Sequence, residues 1–140
     1  EYFNEKYEEA LFFLEDVEVN YNKRRYKRAS FYLHQACENL FYTLRLVHTL
    51  KNSKQHNLSK LLGATSKYSP ELKKIFPRKP QEEKRLFELL RLAYVEARYN
   101  PKFVVTKEDI DALLPKVEKL RDVTEQVCKT QIESYMQKEK

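Results

Sequence analysis

His34, Gln35 and Glu38 lie in the middle of a segment, residues 25–46, whose other side chains are apolar nearly all the way round a helix. Such a helix is usually buried, and a buried polar group costs free energy unless it finds a hydrogen-bonding partner. His34 and Glu38 are four residues apart and therefore share one helix face. These groups either satisfy one another in the core or face a pocket, where histidine could move a proton.

Three further residues could take part in such chemistry. His56 stands at the start of a predicted short helix, and Arg98 and Tyr99 end a later long helix beside a proline. A helical bundle can bring Arg98 close to Glu38, because both would lie on packed helices. The alternative from the same residues is structural, with a buried Glu38–Arg98 ion pair and His34 satisfied by a backbone carbonyl.

The positive charge of the chain is unevenly placed. The formal net charge is +6 at pH 7, and the stretch NKRRYKR, residues 22–28, is mostly basic. This cluster either attracts phosphate, which makes Lys27 and Arg28 candidate contacts, or is a solvated face that flanks a helix start. A second basic cluster comprises Lys73, Lys74, Arg78, Lys79, Lys84 and Arg85.

The composition argues against several kinds of site. With one glycine the chain has no glycine-rich phosphate loop, and three scattered histidines and two distant cysteines give no zinc-ligand spacing. We therefore expect no metal and no cofactor. No run approaches the roughly 18 apolar residues of a membrane span. The sequence predicts a cytoplasmic protein in which Cys37 and Cys128 are buried, reduced thiols.

Apolar periodicity predicts an all-α protein. Stripes at steps of three and four indicate long helices over about residues 3–21, 23–50, 81–99 and 107–129, and short ones near 57–63 and 70–76. Together they predict an up-and-down helical bundle of four long helices plus one or two short ones. We expect one domain over residues 1–140, with a core over about 3–129 and a frayed tail over 130–140. The first residue is not methionine, which suggests a piece of a longer chain.

Three stretches, in this order, resemble the motifs of the HEPN domain family, named for nucleotide binding in prokaryotes and higher eukaryotes. They are ASFYLHQACE at residues 29–38, QHNLSKL at residues 55–61 and FELLRLAYVEARY at residues 87–99. The resemblance extends over about Tyr7 to Lys129. The combination of HQACE with EARY resembles the type often found C-terminal to a nucleotidyltransferase domain in bacterial proteins.

The resemblance implies a helical bundle that forms homodimers, in a bacterial and toxin–antitoxin-like setting. It also implies either nucleotide binding or metal-independent RNA cleavage. The RNA-cleaving members carry an arginine followed, after four to six residues, by a histidine. After Arg98 the permitted positions hold Phe103, Val104 and Val105, so the ribonuclease motif is broken in this chain.

The leading prediction is a non-catalytic HEPN-type module that binds a nucleotide or phosphate group and assists a nucleotidyltransferase partner or fused domain. No catalytic and no metal-binding residue is assigned. One alternative is a purely structural domain for dimerisation or protein interaction. A second is a ribonuclease with a non-standard pair, His34 or His56 with Arg98, for which RNA would be the ligand. The candidate contacts for nucleotide or phosphate are His34, Glu38, His56, Arg98, Tyr99, Lys27 and Arg28.

Overall fold

The computed structural model describes the backbone of residues 2–138 and the side chains of residues 5–138. The prediction of an all-α bundle with four long helices and short ones between them is confirmed over this range. None of the described helices combines the length and the apolar character that crossing a membrane requires. The helices are α1 (Tyr2–Asn22), α2 (Tyr26–Thr49), α3 (Leu58–Thr65), α4 (Pro70–Ile75), α5 (Gln81–Tyr99) and α6 (Lys107–Lys138), with a 3₁₀ turn at Ser66–Tyr68.

The second helix, α2, is the centre of the bundle. Most of its 24 residues are buried, and α1, α3, α5 and α6 all pack against it. Phe41, Leu33 and Leu40 on this helix are fully buried. Cys37 on α2 and Cys128 on α6 are buried free thiols, as predicted. Polar groups on a helix that is packed on so many sides need hydrogen-bonding partners. The partners of His34 and Glu38 are therefore central to how this helix is stabilised.

Residues 23–25, which were predicted to belong to the second helix, form the turn between α1 and α2. Arg24 adopts a φ of 60°, in the left-handed region that ends regular helical geometry. Its backbone N–H donates to the Tyr21 carbonyl over 3.0 Å, and that of Arg25 donates to the Asn20 carbonyl over 2.8 Å. Helix α2 therefore begins at Tyr26 rather than Lys23. The turn places the first basic cluster at the end of the bundle where α2 starts.

A side-chain cap fixes the start of α3. The Asn57 Oδ1 atom accepts hydrogen bonds from the backbone N–H groups of Ser59 and Lys60, at 2.9 and 3.2 Å. Such a cap satisfies two of the donors that a helix start leaves without partners. The cap determines where the helix begins and therefore where the preceding residue, His56, lies relative to α2.

The prediction of a frayed tail beyond Lys129 is wrong for the described residues, because α6 continues to Lys138. Ile132 packs against the core, and the Tyr135 hydroxyl donates to the Val47 carbonyl at 2.8 Å. The Tyr135 contact lies near the end of α2. Together the two contacts stabilise the last part of α6, which has few apolar residues of its own. Residues 139 and 140 of the predicted tail lie outside the described residues.

Reciprocal hydrogen bonds cap the start of α6. The Thr106 Oγ1 atom accepts from the Asp109 N–H at 3.1 Å, and Asp109 Oδ2 accepts from the Thr106 N–H at 3.0 Å. Asp109 Oδ1 also accepts from Arg85 Nη2 at 2.6 Å, which joins α5 to α6. Burial raises the pKa of Asp109, but the hydrogen bonds from Thr106 and Arg85 outweigh it and hold that pKa below its ordinary value.

Replacing Asp109 with alanine is expected to lower the free energy of unfolding by about 2 kcal/mol, since a helix cap and a half-exposed ion pair are lost together. Urea unfolding measures this, and Glu133→Ala, which removes an exposed carboxylate on the same helix that pairs with no other described residue, should cost less than about 1 kcal/mol. Because folding lowers the pKa of Asp109, the difference from wild type should shrink as the pH falls below about 4. A difference that stays constant from about pH 7 to pH 3 would contradict this assignment.

Candidate functional site

His34 is buried in the middle of α2, with 1% of its surface exposed. Its Nδ1 atom lies 3.3 Å from Gln35 Oε1, and its ring centroid is 5.3 Å from that of Tyr94 on α5. Burial lowers the pKa of His34 to about 4; the hydrogen bond with Gln35 raises it, and the charges of His56 and Arg98 lower it. His34 is therefore neutral at pH 7. Its partner is a side-chain amide, not the backbone carbonyl of the structural alternative.

Glu38 lies one turn further along α2 and is 5% exposed. Its Oε2 atom is 3.5 Å from Nδ1 of the exposed His56 and has no hydrogen-bond partner among the described residues. The Tyr42 hydroxyl donates to the Gln55 carbonyl at 2.7 Å and lies 3.1 Å from His56 Nδ1. Burial, the largest influence, raises the pKa of Glu38. The Glu38–Arg98 ion pair of the structural alternative is not formed. The charged group beside the Glu38 carboxylate is His56, and Arg98 packs against aromatic rings.

Arg98 lies in the last turn of α5 against three aromatic rings. Its Cζ atom is 4.4 Å from the ring centroid of Tyr94, 4.8 Å from that of Tyr99 and 5.1 Å from that of Phe31 on α2. The Nε–H group donates to the Tyr94 carbonyl at 2.7 Å. This is the only hydrogen bond of the guanidinium within the described part of the chain, so both Nη groups can bind an external acceptor.

A basic groove runs between the start of α2 and the end of α5. It consists of two adjoining clefts that share Arg28 and Ala97. No carboxylate lines either cleft, and none of the groove's cations forms an ion pair with another described residue. The Lys27 ammonium donates to the Asn100 carbonyl at 2.6 Å, which holds the loop after α5 against α2. The basic residues that line the groove are Arg24, Arg25, Lys27, Arg28 and Arg98.

The sequence comparison agrees with this architecture. Residues 4–127 match the sequence model of the HEPN domain. The chain belongs to the HEPN domain family. A comparison with curated proteins finds no match. The family match confirms the resemblance of the three motifs and identifies the chain as a general nucleotide- or RNA-related module.

The ribonuclease positions of this HEPN domain are apolar, and two of the three belong to its interior. Phe103 packs against the core and Val105 is buried, whereas Val104 is exposed. Among the side chains of residues 5–138, no three from His, Cys, Asp or Glu are placed to hold a metal ion together. What the groove can do chemically is bind an oxyanion, because guanidinium and ammonium groups form charge-assisted hydrogen bonds with phosphate oxygens.

Apart from His34, the candidate residues from the sequence fall into two neighbourhoods. Lys27, Arg28 and Arg98 share the basic groove, with Tyr99 against the Arg98 guanidinium. Glu38 and Tyr42 on α2 form the second neighbourhood with His56, which lies in the loop before α3. His34, also on α2, belongs to neither and packs against Tyr94.

Sequence reasoning missed three kinds of residue in the site. Phe31 and Tyr94 contact the Arg98 guanidinium, although their apolar rings alone give no sign of a role in a site. Arg24 and Arg25 belong to the basic cluster, but spacing gave no reason to prefer them over its other members. Tyr42 could have been found, because it follows Glu38 by four residues and therefore shares its helix face.

Proposed function

We propose that this HEPN domain is a non-catalytic module that binds the phosphate group of a nucleotide in the basic groove and assists a nucleotidyltransferase partner or fused domain. The observation that carries the proposal is the concentration of five cations, unpaired with any described carboxylate, around one groove. Such a set of like charges repels itself, and an anion in the groove relieves that repulsion.

In the proposed site, Arg98 binds the phosphate and Tyr99 stacks with the nucleobase. The three rings hold the Arg98 guanidinium in one orientation, so little conformational entropy is lost when its Nη groups bind a phosphate. Tyr99 is 70% exposed, and its ring is available for stacking with a nucleobase. Lys27 keeps donors beyond its bond to Asn100, and Arg28 lines both clefts.

The position of His34 supports a binding role over RNA cleavage by a His34–Arg98 pair. A general base must come within hydrogen-bonding distance of the ribose 2′-hydroxyl that it deprotonates. His34 is almost fully enclosed and packs behind Tyr94, which itself contacts Arg98. Within the proposal, His34 holds Tyr94 in place and so positions Arg98 indirectly.

Thermal melting with a panel of nucleotides tests the proposal. A ligand at a hundred times its dissociation constant stabilises the folded state by about 2.7 kcal/mol. For a domain of this size that corresponds to a rise in Tm of several degrees, at roughly 3 °C per kcal/mol. We expect nucleoside triphosphates to raise the Tm and the corresponding nucleosides to leave it unchanged. No change with any nucleotide would contradict the proposal.

A second candidate function, dimerisation, is favoured by an exposed apolar stripe on α5. Leu92, Val95 and Tyr99 recur at steps of three and four and are 37%, 51% and 70% exposed. Val104, in the segment that follows α5, is also exposed. A stripe of this kind on one helix can pack against the same stripe of a second copy, since twofold symmetry makes such a surface self-complementary.

Replacing Val95 with aspartate is expected to weaken dimerisation at least about tenfold, because it would bury an unpaired charge in the contact. Sedimentation equilibrium of the wild type and the variant measures the dissociation constant. Phe12→Asp introduces the same charge at an exposed apolar residue of α1 and should leave the dimer intact. A wild type that stays monomeric at high concentration would rule out this second function.

A further inference from the structure

A cavity of about 140 Å³ lies between α3, residues 76–78 and α5. It shares no lining residue with the basic groove. An apolar cavity of roughly 150 Å³ in another protein binds benzene, so this volume is enough for one six-membered ring. The residues that line the cavity are Ser59, Leu62, Phe76, Pro77, Arg78, Lys84, Phe87, Glu88 and Arg91.

The floor of the cavity is apolar and aromatic. Phe76 is 4% exposed, and its ring centroid lies 5.0 Å from that of Phe87, with 51° between the ring planes. Leu62 and Pro77 complete the apolar lining. Two rings inclined in this way can contact both the face and the edge of a third ring placed between them.

The mouth of the cavity is positively charged. Arg91 is neutralised, because its Nε donates to Glu88 at 3.0 Å and its Nη2 bonds to the same carboxylate. Arg78 and Lys84 form neither an ion pair nor a side-chain hydrogen bond with any other described residue. Two cations beside an aromatic floor favour a ligand that is apolar at one end and anionic at the other.

We propose that this cavity binds a small aromatic anion, a single six-membered ring that carries a phosphate or carboxylate group. The ring lies against Phe76 and Phe87, and the anionic group is held by Arg78 and Lys84. The site is distinct from the proposed nucleotide groove, because the two are lined by different residues.

Titration of the ¹⁵N-labelled protein with phenyl phosphate tests the proposal. We expect shifts of the backbone amide signals of Leu62 and Phe87, and a dissociation constant at least about tenfold weaker in Lys84→Glu. The matched control is Lys73→Glu, which reverses an exposed cation on α4 outside the cavity and should leave binding nearly unchanged. Leu62→Trp fills the cavity and should abolish binding. If that variant fails to fold, Lys84→Glu still decides the question.

Two further probes separate ring recognition from charge recognition. Inorganic phosphate carries the charge without the ring, and benzyl alcohol carries the ring without the charge; both should bind at least about tenfold more weakly than phenyl phosphate. Equal binding of either probe would overturn the proposal. Loss of phenyl phosphate binding in Arg98→Ala would also overturn it, because the anion would then occupy the nucleotide groove.

Discussion

Replacing Arg98 with alanine is expected to weaken nucleotide binding by about 10- to 100-fold while leaving the domain folded. A hydrogen bond between charged groups contributes about 1.5–3 kcal/mol, and the alanine variant loses the two Nη groups that face the groove. The cost to stability should be no more than about 1 kcal/mol, because Arg98 is exposed and its contacts with the rings are individually weak. Isothermal titration with a nucleoside triphosphate and urea unfolding measure the two effects separately.

Two further variants make this test specific to the guanidinium. Lys102→Ala removes the same charge from an exposed residue four positions later that does not line the groove, and it should keep its affinity. Arg98→Lys keeps the charge but loses the planar fork that stacks between the rings, so an intermediate affinity is expected. Equal affinities for the wild type and Arg98→Ala would refute the groove as the nucleotide site. A large loss of stability in the alanine variant would favour the structural role instead.

Acidification from pH 7 to pH 5 is expected to lower the free energy of unfolding by about 2 kcal/mol through His34 alone. Burial holds the pKa of His34 at about 4 in the folded state, whereas the unfolded chain has the ordinary value of about 6.5. Between these values the unfolded state binds the proton and the folded state does not. The contribution of His34 to the free energy of unfolding is therefore greatest above about pH 6.5 and is lost as the pH falls toward 4.

His34→Gln isolates this term, because glutamine keeps a polar group on α2 but does not titrate. Urea unfolding at pH 7 and at pH 5 should show a smaller loss of stability in the variant than in the wild type. His56→Gln removes an exposed imidazole whose charge lowers the pKa of His34 and of Glu38, so it should keep most, rather than all, of the wild-type loss. Glu38 has the opposite effect: because its pKa is raised in the folded state, its contribution to stability increases as the pH falls. Glu38 is present in both the wild type and His34→Gln, so this contribution cancels when the two are compared. An identical loss in wild type and His34→Gln would show that His34 is not buried in its neutral form.

The local part of the fold could be predicted from the sequence, because its signals lie within a few residues of each other. Helix α5 has the predicted bounds, Gln81–Tyr99, since a proline precedes it and Asn100-Pro101 stops it. The cap at Asn57 and the reciprocal bonds of Thr106 act over two or three residues, so they too follow from local sequence. The prediction failed in two places. At residues 23–25 the positive φ of Arg24 forms a turn. Beyond residue 129 the helix is held by contacts with α2, which is distant in sequence.

The three motifs and the apolar periodicity are enough to predict a helical HEPN domain that carries a histidine and a glutamate on its central helix and has an interrupted ribonuclease motif. The burial of these two groups and the partner that each one takes follow from the packing of the helices. Glu38 pairs with His56 and Arg98 packs among aromatic rings, although spacing alone allowed Glu38 to pair with Arg98. The physical reason is that helical periodicity fixes which side chains share a face. The packing of helices against one another then decides what that face meets.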